Sequence, residues 1–398
     1  MHYGLTISPE PIVTAVTARP ATLAAGRETM SFLFVQIATD TGVVGTGEAC
    51  DSYGCSYASV VGRVVEEVFA PLLIGQPVGA VEPLAERLRL HTRRRLGEGW
   101  VAAHARSAVE LALWDVLGRA AGRSVSALLG RVRDEVEVYA SSVFLEEGPA
   151  SFHLELLEPL LAQGVTKVKV RVGPEWRRDL DTLTSLRAAL DPGVELMVDG
   201  SEIFTLPTAT EVARRLGELG VVWFEEPLPQ GAHAGIETLA AVSRVPLAYG
   251  EHLFGVDEAI DAMRRGQLQV LQPDASTCGG LTAARAMAVA AAGFGVRVVP
   301  HVCAGPVSLA ANLHFAATVP AIRLVEYPPS LAEAWSTFGR GLELGPKTIV
   351  DGKLPVPDGP GLGIELDEEA LARNPYRPPG ARVAGTVGGL PDRFVGDR

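Results

Sequence analysis

Acidic residues recur along the middle of this 398-residue chain at a fixed step. Asp199 lies in ELMVDGS, Glu225 begins the acidic pair of VVWFEEP, and Glu251 lies in PLAYGEH, each 26 residues from the next. Each acid closes a short apolar run, so an equal step sets the three side by side if those runs are adjacent strands. Carboxylates so crowded repel, and at neutral pH they need a counter-ion or raised pKa values. Oxygen donors without Cys or His suit a hard cation, and Mg²⁺ takes a few carboxylates together with water and substrate oxygens. The plainer alternative is capping and salt bridging at strand ends. The series continues with Asp274 in QPDAS, His301 in VPHV and Glu326 in LVEY. An Asp one strand away from a His can fix the imidazole tautomer and raise its basicity, giving a general base near neutral pH.

Opposite charge is concentrated in GVTKVKVRVG (164–173), where Lys167, Lys169 and Arg171 alternate with Val168, Val170 and Val172. A barrel strand turns one face inward and the other onto the surrounding helices, with period two. The valines suit the helix side, which aims the three cations into the barrel. Barrel interiors are normally filled by branched apolar residues, so inward cations call for anionic partners in the protein or in a ligand. The plainer alternative is an edge strand with a solvated charged face.

The elements that must position these groups follow a rhythm. Apolar runs at 135–141, 167–173, 195–201, 221–227, 246–252, 268–276, 296–302 and 322–328 alternate with helical stretches such as TATEVARRLGELG and LTAARAMAVAAAGFG. Eight strands at roughly one per 25 residues predict a parallel α/β barrel over 131–335. The first third differs. SFLFVQIATDTGVVGTGEA (31–49) alternates around Asp40-Thr41-Gly42 as a hairpin does, and SAVELALWDVLGRAAG (107–122) has helical spacing ended by glycine. An α+β domain is therefore expected over 1–130. Residues 336–398 are expected to return to it through PVPDGPGLGIELDEEAL and to end in a Pro- and Gly-rich flexible arm.

Composition narrows the class. Apolar content of 47% and charged content of 21% fit a folded protein. A net charge of −12 lacks the basic footprint of a nucleic-acid binder. Cys50, Cys55, Cys278 and Cys303 form no zinc spacing and point to a reducing compartment. MHYGLTISPEP lacks the basic-then-apolar order of a signal peptide, and no run of about 18 apolar residues suggests a membrane span. A cytoplasmic protein with no nucleic-acid or membrane partner is expected.

GVTKVKVRVG, VDGS, FEEP, GEH, QPDA, PHV and VEY, with the GTGEA hairpin and the ALWDVLGR helix, carry a family likeness across nearly the whole chain. In order and spacing they resemble the enolase superfamily, and within it the mandelate racemase subgroup. The resemblance implies a modified (β/α)7β barrel under an α+β capping domain that the C-terminal segment completes. It implies Asp199, Glu225 and Glu251 as Mg²⁺ ligands, Glu226 behind them, and His301 with Asp274 as the general base. Glu326 is implied as the donor of a hydrogen bond to the substrate carboxylate. Lys169 fits the first lysine of the subgroup's KxK motif, whereas Arg171 replaces the second and Lys167 falls outside the chemistry. Ser201 stands where the subgroup has Asn, which is expected to loosen a contact behind Asp199. Asp51, Ser52, Tyr53 and Tyr57 lie on expected lid segments (18–30 and 48–60) and could bind substrate hydroxyls, as could His252. A homo-oligomer is implied by resemblance only.

The subgroup's shared step removes a proton α to a carboxylate. Racemisation needs a base on each face, and a guanidinium stays protonated, so Arg171 turns the expectation toward a one-base elimination. His301 would take the α proton of a sugar acid, and loss of the β-hydroxyl would leave a 2-keto-3-deoxy acid. Alternatives are a cycloisomerase acting on a lactone or anhydro-sugar acid, a racemase or epimerase of a 2-hydroxy acid, and a non-catalytic protein of the same fold.

Overall fold

The computed structural model describes residues 8–25, 28–49, 57–341 and 345–378. Strands β1 (Val13–Ala25), β2 (Glu28–Thr39) and β3 (Val44–Ala49) form an antiparallel meander. The turn between β2 and β3 falls at Asp40-Thr41-Gly42, with Gly42 at φ 81°. The sheet packs on a long helix, Trp100–Ala121, closed by Gly122 in the left-handed conformation. That helix starts seven residues before the apolar period of 107–122 predicts, because VAAHA continues it back to Gly99. The glycines of GTGEA explain the fit. A Cβ on Gly47 would sit 1.8 Å from the carbonyl oxygen of Ala108, so only glycine lets β3 lie this close to the helix.

The eight expected barrel strands are all present, though their ladders are shorter than the apolar runs. They are β4 (Glu135–Phe144), β5 (Lys167–Arg171), β6 (Glu195–Asp199), β7 (Phe224–Glu225), β8 (Leu247–Tyr249), β9 (Val270–Leu271), β10 (Arg297–Val298) and β11 (Leu324–Tyr327). They pair in parallel from β4 through to β10, and β11 pairs with β4 on the other side. Between β10 and β11 the Glu326 N–H donates to the Pro300 carbonyl at 3.2 Å. One helix follows each of the first seven strands, giving the (β/α)7β order.

Two cores divide the strand residues by face. Val168, Val170 and Val172 are fully buried in the large cluster shared with the helices. Tyr139, Met197, Trp223, Val270, Val299 and Leu324 form a separate cluster inside the barrel. Lys169, 3% exposed, is the inward residue that β5 adds to this apolar layer. Lys167 pairs with Glu137 on β4, away from the mouth.

After β11 the chain forms β12 (Gly339–Arg340), β13 (Lys353–Pro355) and β14 (Glu365–Leu366). β13 adds antiparallel to β4, an extension that the sequence did not announce. The Leu362 N–H donates to Asp115 on the long helix at 2.7 Å, and Arg19 on β1 meets Glu368 at 3.0 Å. The chain thus returns to the first sheet. The expected flexible arm falls mostly at 379–398, outside the described residues.

Three buried carboxylates of the N-terminal part reach across to other segments. Glu48, on β3, accepts from the N–H groups of Gly305, Val307 and Ser308 at 2.6, 3.0 and 3.0 Å, at the start of the Pro306–Thr318 helix. Glu110, on the long helix, accepts from the N–H groups of Leu281 and Thr282 at 2.8 and 3.0 Å, at the start of the Leu281–Phe294 helix. The first turn of a helix leaves N–H groups without partners and carries partial positive charge. Helices that follow barrel strands begin at the mouth, so these acids fasten the cap over it. Asp115 ties Thr46 to the returning segment.

Candidate active site

The mouth gathers Lys169, Arg171, Asp199, Glu225, Glu251, His252, Asp274, His301 and Glu326. Arg171, Asp199 and Glu225 lie in one row, paired in register across β5, β6 and β7. Glu251 does not continue that row, because Glu225 pairs with Ala248. The equal 26-residue step therefore places two of the three acids side by side, and the third lies beyond its strand. Gly250 explains this. At φ 153° and with a Cβ only 2.4 Å from the Gln272 nitrogen, this position admits glycine alone, and Glu251 follows it beyond the end of β8.

Each of these acids meets a protein cation. Lys169 Nζ lies 2.5 Å from Glu225 Oε1, 2.8 Å from Glu326 Oε1 and 4.0 Å from Asp199. Burial works against the Lys169 charge, but Glu225 and Glu326 outweigh it and hold the ammonium well above its ordinary range. Arg171 donates to Asp199 Oδ2 from Nε at 3.0 Å and from Nη2 at 2.6 Å. Burial would raise Asp199, yet Arg171 and Lys169 bring it below the usual carboxylate range. Ser201 donates to Asp199 Oδ1 from both its N–H (2.6 Å) and its hydroxyl (3.1 Å). The expected loosening at Ser201 is therefore not found, since a short hydroxyl in a left-handed turn (φ 47°) reaches back to the acid. Glu225 is also held by Trp223 Nε1 at 3.1 Å and Gln272 Nε2 at 2.6 Å. Burial pushes it up to about 7 despite Lys169, with Asp199, Glu326 and Glu251 adding to the rise.

The donor chemistry and this surplus of negative charge fit a divalent cation. The oxygens of Asp199, Glu225 and Glu251 are nevertheless drawn apart toward Arg171, Lys169 and His301. Among the described residues, Glu202, Glu226 and His252 have donor atoms within 4.8 Å of one another.

His301 lies between acids. Its Nδ1 is 3.1 Å from Asp274 Oδ2, and its Nε2 is 3.2 Å from Glu251 Oε2 and 3.8 Å from Glu326 Oε2. Burial disfavours the imidazolium, but Glu251, Glu326 and Asp274 raise the ring well above its ordinary value. Asp274 Oδ1 accepts from the Ser276 N–H and hydroxyl, both at 2.7 Å, and from Asn312 at 2.9 Å. Asp274 can therefore neither rotate nor drop its hold on the ring. Glu326 accepts from Lys169 and from the Val302 N–H at 3.2 Å. Burial would raise it, but Lys169 and His301 bring it below the carboxylate range. In this state Glu326 is an acceptor, not the donor that the resemblance implies.

His252 sits with Nδ1 3.0 Å from Glu226 and 3.4 Å from Glu202, under the ring of Trp100 at 4.8 Å. Tyr57 stands at the start of the Ala58–Arg63 helix, 55% exposed, and no described contact joins it to these groups. Asp51, Ser52 and Tyr53 lie outside the described residues. Trp223, Gln272, Ser276 and Asn312 went unnoticed in the sequence. The first two stand two residues before Glu225 and Asp274, on the same inward face by strand alternation, and that signal was available.

Comparison with known proteins identifies the family. Residues 10–130 match the model of the mandelate racemase/muconate lactonizing enzyme N-terminal domain, and residues 154–370 match the enolase C-terminal domain-like model. The chain belongs to the mandelate racemase/muconate lactonizing enzyme family of the enolase superfamily. Family relatives include D-galactarolactone cycloisomerase of Agrobacterium fabrum, 31% identical over 85% of this chain and 90% of that protein. Arabinonate dehydratase of Saccharolobus solfataricus is 30% identical over 85% of this chain and 88% of that one. A crystal structure of L-talarate dehydratase from Polaromonas sp. JS666, complexed with Mg and L-glucarate, superposes with a TM-score of 0.80. It is 28% identical and covers 92% of this chain and 98% of its own. Members similar to this chain are thus named both dehydratases and cycloisomerases. No described helix is long and apolar enough to cross a membrane.

Proposed function

We propose that this family member is a Mg²⁺-dependent acid sugar dehydratase, a hydro-lyase that forms a 2-keto-3-deoxy acid from an aldonate or aldarate. The observation that carries the reading is the buried His301–Asp274 pair, whose Nε2 faces the expected metal ligand Glu251. Asp199, Glu225 and Glu251 would hold the cation, which supplies the positive charge that stabilises an enolate as the α proton leaves. Asp274 would keep a proton on Nδ1 of His301, and Nε2 becomes free to take the α proton only once a cation offsets the charge of Glu251, which now helps hold the ring protonated. Lys169 lies between Glu225 and Glu326 and is placed to donate to the substrate carboxylate. For Glu326 to donate as well, it must take up a proton when Lys169 turns toward the substrate. Arg171 is committed to Asp199 and cannot act as a second base, which favours elimination over racemisation.

Ring opening of a lactone or anhydro-sugar acid needs the same single base, and likeness to D-galactarolactone cycloisomerase favours it as the second reading. A screen of stereochemically diverse aldonates, aldarates and their lactones with Mg²⁺ separates the two. A dehydratase gives a 2-keto acid that has lost water, and a cycloisomerase gives a product of unchanged mass. His301→Asn is expected to lower turnover and C2 proton exchange in D₂O by about 10²–10⁴-fold. Turnover that survives this substitution excludes the one-base reading. No exchange with any acid sugar favours a non-catalytic protein.

A further inference from the structure

Three side chains beside the proposed Mg²⁺ ligands meet without bonding one another. His252 Nδ1 lies 3.0 Å from Glu226 Oε1 and 3.4 Å from Glu202 Oε1, and donor atoms of all three residues lie within 4.8 Å of one another. An imidazolium shared by two carboxylates would line its N–H up with one of them. That alignment is missing. His252 Nδ1 and Glu226 Oε1 are both buried without a hydrogen bond, and Glu226 is only 4% exposed. A buried acceptor left in that state is costly. Metal–ligand bonds of about 2.0–2.2 Å, by contrast, set neighbouring donor atoms about 3 Å apart with no bond between them.

The surroundings hold the three residues in place. Each follows a different barrel strand, Glu202 after β6, Glu226 after β7 and His252 after β8. The Glu202 N–H donates to the Glu226 carbonyl at 2.7 Å. Gln230 fastens the other side, with its N–H on Glu202 Oε1 at 3.1 Å and its Nε2 on the His252 carbonyl at 2.7 Å. The second ring nitrogen of His252, Nε2, faces Glu251 Oε1 at 3.7 Å. Metal-bound imidazoles commonly turn their second nitrogen toward a carboxylate. Glu202, His252 and Gln230 line a groove of about 690 Å³ together with Trp100, with room for water at the remaining coordination positions. Gln230 Oε1, also buried without a hydrogen bond, is a further oxygen donor.

We propose that Glu202, Glu226 and His252 bind a second divalent cation, of the borderline class that Zn²⁺ represents. Two carboxylates and an imidazole suit such an ion, whereas the all-oxygen set of Asp199, Glu225 and Glu251 suits Mg²⁺. The two seats sort ions by donor type. The second cation ties the loops after β6, β7 and β8 together at the barrel mouth, whichever reaction the barrel carries out.

The full chain is stripped with a chelator, equilibrated with excess Mg²⁺ and titrated with Zn²⁺. Zn²⁺ per chain is counted after gel filtration, and thermal unfolding is followed with and without Zn²⁺. The side chains of His252 and Glu202 are 27% and 30% exposed, so the fold tolerates the replacement of either. His252→Ala and Glu202→Ala are each expected to bind one Zn²⁺ per chain at least about 100-fold more weakly than the wild type. Both are expected to keep Mg²⁺ affinity within about threefold of the wild type when Zn²⁺ is absent. Zn²⁺ is expected to raise the unfolding temperature of the wild type by more than that of either variant. Glu202 makes no described contact with Asp199, Glu225 or Glu251, so a loss in Glu202→Ala is not relayed through the Mg²⁺ seat. Equal Zn²⁺ counts and affinities in the wild type and both variants overturn the proposal. So does a wild type from which excess Mg²⁺ displaces all Zn²⁺. A joint loss of Zn²⁺ and Mg²⁺ in His252→Ala overturns it too, because one cation at Glu251 would then account for both.

Discussion

At the scale of single residues, one side chain bears on the choice between elimination and racemisation. Arg171 sets both Nε and Nη2 on one oxygen of Asp199, a grip that a lysine could match with only one donor. A lysine there could also lose its proton and serve as a base on the face opposite His301. Arg171→Lys is therefore expected to yield deuterium-labelled C2 epimer of the substrate in D₂O, and the wild type none. A variant that still yields no epimer removes the argument from arginine. As a proposed Mg²⁺ ligand, Glu225 is expected to carry the pH dependence of metal binding. With the carboxyl pushed up to about 7 by burial, proton and cation compete for the same oxygens. Only the deprotonated form binds metal, and its fraction shrinks as pH falls through that value. Mg²⁺ affinity is expected to weaken about tenfold between pH 8 and pH 6 in a calorimetric titration, and a flat profile would place the proton elsewhere. The charged side chains of the mouth were legible in the sequence because each closes an apolar run. What escaped was where their second contacts lie, since Asn312 reaches Asp274 from a helix 38 residues away with no spacing to betray it.

At the scale of elements, alternation did most of the predictive work. The valines of β5 do face the helices, and Lys169 does face the interior. Alternation failed where a strand ends before its apolar run does. Gly250 turns the chain after β8, and a residue count cannot see that turn, so Glu251 left the row assigned to it. The extra strand β13 was equally hidden, because its three residues show no period and pair with Glu135–Glu137 at the start of β4, ahead of its pairing with β5. Helix starts offer a direct test. Glu110 takes the Leu281 and Thr282 N–H groups, the Thr282 hydroxyl at 2.5 Å and Trp114 Nε1 at 2.7 Å. Glu110→Ala strands several buried donors at once and is expected to cost about 3 kcal/mol in denaturant unfolding. A loss below about 1 kcal/mol would show that water replaces the carboxylate.

At the scale of the whole molecule, the fold class was legible because a strand–helix rhythm survives over two hundred residues. How the two parts are joined was not, since the joining acids look like ordinary residues of a hairpin and a helix. Glu110 holds the helix that follows the strand ending near Asp274, and Glu48 holds the helix that follows the strand ending near His301. No such clamp of the cap was found on the helices behind Asp199 and Glu225 among the described residues. The first sheet and the strand ends that carry Asp274 and His301, the proposed base pair, are consequently one coupled unit, and the strand ends that carry Asp199 and Glu225 are another. A chimera that grafts a relative's cap onto this barrel is expected to change the mounting of the proposed base along with the cap. Such a graft keeps its chemistry only if matching acids arrive at both positions, whereas grafts within the metal-bearing half carry no such condition.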